Sequence, residues 1–129
     1  MKGHCHCGAV YWESSAPVAW SCYCHCKDCR RSCAAPVTAF IGIPHDAVHW
    51  GGTAPKTYSS SEGVERLFCG TCGTQMAYRS AQDTANLHLY TATLENPVAL
   101  PPRFHVYHAE HLGWLNINDS LPRFAGKAG

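Results

Sequence analysis

The sequence contains no long apolar run. Nowhere does it reach the roughly 18 consecutive apolar residues that a membrane-spanning helix needs. Its first residues, MKGHCHCGAVYWESS, also lack the apolar core of a secretory signal peptide. We therefore expect a soluble, cytoplasmic protein without a membrane partner. Disulfide bonds are rare in the reducing cytoplasm, and nine cysteines, an odd number, fit a disulfide framework poorly.

Charged residues are also scarce, at 15% of the chain, and ten Lys and Arg nearly balance nine Asp and Glu. The one pair of adjacent basic residues is Arg30 and Arg31. Nucleic-acid-binding proteins normally carry a basic patch, so we expect no nucleic-acid partner. The hydrophobic fraction of 46% is that of a globular protein, and we interpret residues 1–129 as a single domain.

Helical periodicity is missing as well, because no window of 12 or more residues combines an apolar stripe with capping residues. Turn signals such as residues 51–52 and 59–63 separate β-rich segments instead. These segments predict a mainly β fold of short antiparallel strands. Short helical turns are expected after Pro44 and near residues 27–32. The predicted strands cover residues 5–12, 18–24, 37–43, 64–68, 74–78, 87–94 and 104–107.

Two outer pairs of cysteines have the spacing of metal ligands. Cys5 and Cys7 are two residues apart, so both thiols project to one side of an extended segment. Cys69 and Cys72 form a Cys-x-x-Cys turn with glycines at positions 70 and 73, which is typical of a zinc knuckle. Together the two pairs would complete a closed site of four thiolates, the kind that stabilises a fold.

The middle of the chain, SCYCHCKDCRRSC, contains Cys24, Cys26 and Cys29 at the spacing of three further ligands. Three thiolates would leave a zinc ion with one open position for chemistry. Alternatively, both sites are structural and His25 closes the second, although its ring points away from the flanking cysteines in an extended segment. Spacing alone also leaves open which pair joins which.

Several residues near these motifs have more than one interpretation. Cys22 and Cys33 are left over from the groups, and each is either a further ligand, a redox partner or a small buried apolar residue. The chain has nine histidines, most of which, including His105 and His108, we expect to be surface or packing residues.

The motifs also resemble a known family. GxCHCGAV at residues 3–10, CHCxxCRR at 24–31 and FCxxCGT at 68–74 are similar to the glutathione-dependent formaldehyde-activating enzyme family, which includes the centromere protein V proteins. The segments PxDA at 44–47, YSS at 58–60 and WLNINDSLPRF at 114–124 extend the resemblance along nearly the whole chain. Where many relatives have a small hydroxyl residue and then Gly, this chain has Cys33 and Ala34, and it adds Cys22.

The resemblance implies an Mss4-like β-tent of short antiparallel sheets and two Zn²⁺ ions per chain. It implies an enzyme that joins glutathione to formaldehyde as S-hydroxymethylglutathione, a carbon–sulfur lyase reaction, or a related thiol to a small aldehyde. The alternative is a non-catalytic zinc-binding thiol carrier or interaction module. The implied ligands are Cys5, Cys7, Cys69 and Cys72 for a structural zinc, and Cys24, Cys26 and Cys29 for a catalytic zinc.

Three further residues have expected roles in such a reaction. Zinc would hold the substrate thiol as a thiolate beside the aldehyde carbon, whereas a free thiol with a pKa of about 8.5 is mostly protonated. Arg30 or Arg31 would pair with a substrate carboxylate, for which a guanidinium is well shaped. His25 would donate a proton to the developing alkoxide.

Overall fold

Ten short strands and one α-helix make up the fold in a computed structural model that describes residues 1–129. The helix, α1, spans Lys27–Cys33, and no helix of the protein has the length and apolar character needed to cross a membrane. Single 3-10 turns occupy His45–Ala47, Thr91–Thr93, Pro97–Ala99 and His108–Glu110. The strands are β1 Lys2–His4, β2 Val10–Glu13, β3 Trp20–Cys24, β4 Thr38–Pro44, β5 His49–Gly52, β6 Lys56–Ser61, β7 Val64–Phe68, β8 Gln75–Ser80, β9 Asp83–Tyr90 and β10 Phe104–Val106.

The strands form two sheets. A small sheet has the order β1-β2-β5, and a seven-stranded sheet has the order β10-β3-β4-β9-β8-β7-β6. Every pairing is antiparallel except that of β10 with β3. In this parallel pair His105 lies opposite Tyr23, which places the C-terminal segment beside the strand that leads to Cys24. The predicted mainly β fold is confirmed.

Two hydrophobic cores fill the protein. The larger lies where β2 packs toward the large sheet: Val10 and Trp12 are buried while Tyr11 and Glu13 are exposed, the period of two that a half-buried strand requires. Cys5 and Cys69 belong to this core. The smaller core contains five buried residues, Cys22, Cys24, Cys29, Phe40 and Tyr90. The outer and middle cysteine groups therefore lie in different cores.

The structure corrects parts of the strand prediction. Residues 5–9 form a turn between β1 and β2 instead of continuing a strand from 5 to 12. Strand β5 includes the expected turn at 51–52, because Gly51 lets the Tyr11 ring lie where a Cβ would come within 2.2 Å. Strand β6 includes the start of the expected turn at 59–63; all six of its residues are exposed, so no apolar alternation marked it.

The expected helical turn near residues 27–32 is confirmed as α1. The helix ends at Ala34, whose φ of 52° puts it in the left-handed region, where its N–H is directed to the carbonyl oxygens of Arg30 and Arg31. Glycine usually occupies this kind of helix end, since a Cβ is unfavourable there. The Ala34 backbone is therefore strained in this chain.

Candidate metal centres

Four cysteines meet at one end of the larger core. The Sγ atoms of Cys5, Cys7, Cys69 and Cys72 all lie within 4.8 Å of one another, with 3.6 Å between those of Cys5 and Cys7. Sulfurs arranged tetrahedrally around zinc, with zinc–sulfur bonds of about 2.3 Å, are about 3.8 Å apart. The donor set therefore fits a metal such as zinc, and the structure brings together the four residues expected to form the closed site. We call this group the first centre.

Two similar turns aim these thiols. Gly8 and Gly73, both with φ of 81°, donate their N–H groups to the carbonyls of Cys5 and Cys69. Such a positive φ suits glycine, which has no Cβ. Backbone N–H groups also lie near the buried sulfurs, as at 3.3 Å between Val10 N and Cys5 Sγ. Such donors favour thiolates.

The thiols of the first centre accordingly depart from ordinary cysteines. Burial alone would raise the pKa of Cys5, but the N–H of Val10 and the neighbouring sulfurs lower it overall. The hydroxyl and backbone of Thr74 lower the pKa of Cys72 to about 5. The backbone N–H of Ala9 lowers the pKa of Cys7, but burial and the neighbouring thiols raise it overall to about 11. Thiolates are the form that a metal ligates, so the surroundings favour that form at Cys5 and Cys72 and disfavour it at Cys7.

The second group lies where β3 leads into α1. Cys24 ends β3, Cys26 is the N-cap residue of α1, and Cys29 lies in the first turn of the helix. Cys24 and Cys29 are buried, and Cys26 is half-buried. The neighbouring thiols raise the pKa of Cys24 and lower that of Cys26. The thiol of Cys24 lowers the pKa of Cys29, but Cys26 and burial raise it overall to about 11. Among the His, Cys, Asp and Glu side chains, the first centre is the one group of three or more whose ligand atoms all lie within 4.8 Å of one another, so the structure does not bring Cys24, Cys26 and Cys29 together as closely.

A buried arginine accompanies the second group. Arg66, on β7, is 6% exposed, and its Nη1 and Nη2 atoms lie 3.8 and 3.9 Å from the Sγ of Cys29. Its Nε donates to the hydroxyl of Ser60, and its guanidinium lies 5.1 Å from the Tyr78 ring centre. The ion pairs of the protein are Arg79–Glu65, His88–Asp83, His105–Asp119 and Arg123–Asp119, so Arg66 has no carboxylate partner.

A buried cation needs a compensating anion, because leaving water is costly for an isolated charge. Among the neighbours of Arg66, the Cys29 thiol and the Tyr90 phenol can ionise, and a thiol is ordinarily the more acidic of the two. Sequence reasoning missed Arg66. The available signal was a charged residue between Val64 and Phe68 on the same face of a predicted strand.

Arg30 and Arg31, the two arginines expected to bind substrate, differ in the hydrogen bonds that they make within the protein. Arg30 donates from Nε to the carbonyl of His25 and from Nη2 to the carbonyl of Glu110, at 3.0 Å each. It thereby fixes the turn around the second group to the C-terminal segment. Arg31 is exposed and makes no side-chain hydrogen bond within the protein, so its guanidinium is free to meet a ligand.

His25 is part of a buried hydrogen-bonded chain. Its Nε2 lies 2.8 Å from Nδ1 of His105, whose Nε2 lies 3.0 Å from Oδ2 of Asp119. Burial, together with the imidazoles of His105, His108 and His111, lowers the pKa of His25 to about 4. His105 is 0% exposed, so it is a hydrogen-bonded core residue and not a surface one. No sequence signal reveals this chain, because it depends on the pairing of β10 with β3.

The two leftover cysteines are free thiols outside both groups. Cys22 is buried, and burial raises its pKa to about 12, as for a small apolar residue. The Cys33 thiol donates to the carbonyl of Cys29 across one turn of α1. A cavity of about 690 Å³ lies between Cys33, at the end of α1, and Cys5, in the first centre, and Ala34 lines it.

A mainly β scaffold with one four-cysteine centre and a separate three-cysteine group defines a small β protein whose first centre could hold a metal. The model of the glutathione-dependent formaldehyde-activating enzyme family matches residues 1–110. The chain therefore belongs to this family, and the resemblance seen in its motifs is confirmed.

Individual relatives are more distant. An uncharacterized lyase of Schizosaccharomyces pombe is 32% identical over 77 residues, covering 60% of this chain and 56% of the relative. The chain thus spans little more than half the length of that relative. A Halomonas elongata protein, named "Putative glutathione-dependent formaldehyde-activating enzyme", is 24% identical over 127 residues, covering 91% of this chain and 80% of the relative.

The fold recurs in a solved structure. A crystal structure of a Rhodobacter sphaeroides protein superimposes with a TM-score of 0.62 over 96% of this chain and 99% of that chain. The two sequences are 21% identical. The similarity therefore concerns the fold alone.

Proposed function

We propose that residues 1–129 act as one domain of a zinc-dependent carbon–sulfur lyase-type enzyme that joins a thiol such as glutathione to formaldehyde or a related small aldehyde. In the synthetic direction, the thiol sulfur forms a bond to the carbonyl carbon. The C=O π electrons move to oxygen, and the proton lost by the thiol ends on that oxygen. The product is an S-hydroxymethyl thioether, and no oxidant or reductant is needed.

One observation carries the proposal: Arg66 is a buried cation without a carboxylate, and it faces Cys29 of the three-cysteine group. Three thiolates around Zn²⁺ have a net charge of about −1, which would balance the guanidinium. Family membership and the names of the relatives support the lyase chemistry.

Two kinds of metal site follow from this proposal. The first centre would hold a structural zinc with all four positions filled by cysteine. Cys24, Cys26 and Cys29 would hold the second, and a zinc ion there would supply a ready nucleophile by favouring the thiolate form of the substrate sulfur.

The protein's own residues then position the reactants. The Arg66 guanidinium stabilises negative charge at Cys29, in a buried site where water screens it little. Arg31 would bind a carboxylate of the thiol substrate, since its guanidinium has no partner within the protein. Arg30, in contrast, holds the carbonyl of His25 and thereby the loop that presents Cys24 and Cys26.

Cys26→Ser tests this function. We expect it to lose one zinc per chain and to abolish acceleration of thiol–formaldehyde exchange, followed by NMR with glutathione and formaldehyde. The matched control is Cys33→Ser, because a serine hydroxyl can make the same hydrogen bond to the Cys29 carbonyl. A wild-type protein that leaves exchange at its spontaneous rate contradicts the proposal, as does full activity in Cys26→Ser.

A further inference from the structure

The hydrogen bonds around Asp119 constrain where protons lie in the chain that ends at His25. An ionised carboxylate accepts hydrogen bonds and donates none. Oδ1 of Asp119 faces two donors, the N–H of Leu121 and Nη1 of Arg123, each at 3.0 Å. Nε2 of His105 lies 3.0 Å from Oδ2 and 3.2 Å from Oδ1. His105 must therefore donate a proton from Nε2 to Asp119.

The same reasoning continues one step to His25. A neutral imidazole has one N–H, so His105, having its proton on Nε2, offers Nδ1 as an acceptor. The partner of that Nδ1, at 2.8 Å, is Nε2 of His25, which must be the donor. The single proton of His25 is then on Nε2. Its Nδ1 has none, and this atom is buried without any hydrogen-bond partner in the protein.

A doubly protonated His105 would donate from both ring nitrogens and so place the His25 proton on Nδ1, but the surroundings of His105 disfavour a second proton. Asp119 already pairs with the guanidinium of Arg123. His105 is 0% exposed and stacks on Tyr23 with ring centres 4.8 Å apart. A second cation at this position would be largely uncompensated and removed from water.

We propose that Asp119 and His105 are positioning residues that fix His25, which stands between the proposed zinc ligands Cys24 and Cys26 in the sequence, as the Nε2–H tautomer and leave its buried Nδ1 as a hydrogen-bond acceptor. The group it accepts from is a protic one, the S–H of the incoming thiol or the O–H of its hydroxymethyl product. The identity of that ligand rests on the function proposed above; the tautomer does not. The role expected from the sequence, proton donation by His25, would need a proton on Nδ1.

Asp119→Asn gives a sharp test because the position of its oxygen is determined. Leu121 N–H and Arg123 are both donors, so the amide oxygen must replace Oδ1 and the NH₂ group must replace Oδ2. The Oδ2 position is the nearer of the two to Nε2 of His105, at 3.0 Å against 3.2 Å, so we expect the NH₂ group to donate to Nε2. This moves the His105 proton to Nδ1, which in turn moves the His25 proton from Nε2 to Nδ1. An Asp-to-Asn change beside a catalytic histidine imposes the wrong tautomer in the same way in serine proteases.

The measurement is long-range ¹H–¹⁵N NMR of the imidazoles in the full-length, zinc-loaded protein, with His25 and His105 assigned through the backbone. We expect Nε2–H for both rings in the wild type and Nδ1–H for both in Asp119→Asn. The matched control, Asp83→Asn, changes the carboxylate that pairs with His88 at 2.7 Å and should leave His25 and His105 unchanged.

Three results would overturn the tautomer assignment: a proton on His25 Nδ1 in the wild type, two protons on His105, or the same His25 tautomer in both proteins. The wild-type spectrum decides the assignment even when Asp119→Asn fails to fold. Adding glutathione should move the His25 Nδ1 resonance toward that of a hydrogen-bonded nitrogen in the wild type; an unmoved resonance overturns the acceptor role. Correct tautomers in a protein without turnover would refute the proposed reaction alone.

Discussion

Removal of the Arg66 guanidinium should selectively weaken metal binding by the three-cysteine group. In Arg66→Met, a flexible apolar side chain of similar length replaces the cation that lies 3.8 Å from the Sγ of Cys29. The thiolates of Cys24, Cys26 and Cys29 would then hold zinc with a net negative charge that nothing nearby balances. Arg66→Lys retains the charge but loses the planar, two-pronged contact with Cys29, so its effect should be smaller.

The size of the effect follows from the distance. Two unit charges 3.8 Å apart interact by about 4 kcal/mol at an effective dielectric constant of about 20. The negative charge of the site is shared among three sulfurs, so we expect a loss of about 2–4 kcal/mol. At 1.36 kcal/mol for each factor of ten, zinc at this site should bind roughly 30-fold to 1,000-fold more weakly.

The assay is zinc content by elemental analysis after dialysis against a series of buffered free-zinc concentrations. The first centre provides a reference within the same molecule, because Cys5 and Cys69 belong to the other hydrophobic core and Cys72 packs against it. Arg79→Met is the matched control: Arg79 is 42% exposed and pairs with Glu65 at 3.0 Å. An exposed ion pair contributes at most about 1 kcal/mol to stability, so this change should leave both zinc affinities near those of the wild type.

Equal loading of the second site in Arg66→Met and in the wild type, at every free-zinc concentration, would refute this reasoning. The anion that balances Arg66 would then lie elsewhere. Equal weakening of both sites would also count against it, because that result indicates general destabilisation. Loss of the second zinc in Arg79→Met would likewise indicate general destabilisation.

Three further changes test other parts of the structure. Cys72→Ser should unfold the protein, since it opens the first centre; a native circular dichroism spectrum would contradict a structural role. Ala34→Gly should raise the free energy of unfolding by about 0.5–1 kcal/mol in urea titrations, because glycine tolerates a φ of 52°, whereas the control Ala35→Gly should lower it. Burial lowers the pKa of His88, so below about pH 6.5 the unfolded chain binds a proton that the folded chain resists. Stability should therefore fall from about pH 7 to 5.5, and less steeply in His88→Gln; identical slopes would contradict this account.

The closeness of the thiols within each outer pair was predictable because it is local. Cys5 and Cys7 are separated by one residue, and Cys69 and Cys72 lie at the ends of a glycine-containing turn, so the two thiols of each pair cannot lie far apart. The assembly of these two pairs into one centre was open from spacing alone, and the family resemblance implied it. The structure brings the four sulfurs together across a separation of 62 residues between Cys7 and Cys69.

The side chains that surround the second group, Cys24, Cys26 and Cys29, could not be predicted, because they come from distant parts of the sequence. Arg66 reaches Cys29 across 37 residues, and His25 meets His105 across 80 residues. Both contacts depend on strand register: Arg66 lies opposite Tyr78 in the pairing of β7 with β8, and His105 lies opposite Tyr23 in the pairing of β10 with β3. A one-residue change of register would turn either side chain to the opposite face.

The first centre and the second group are attached to the sheets in different ways, and this difference suits them to different roles. The first centre joins the turn before β2, in the small sheet, to the turn between β7 and β8, in the large sheet, so its metal would hold the two sheets together. The second group is attached to β3 and α1, and the backbone pairing of β3 with β4 and β10 supports it without any metal. A metal in the proposed second site would therefore be free to leave while the sheets remain paired. The proposed thiol reaction requires a metal whose ligands can change without disturbing the fold. The first centre would not allow this, because its metal would hold the two sheets together.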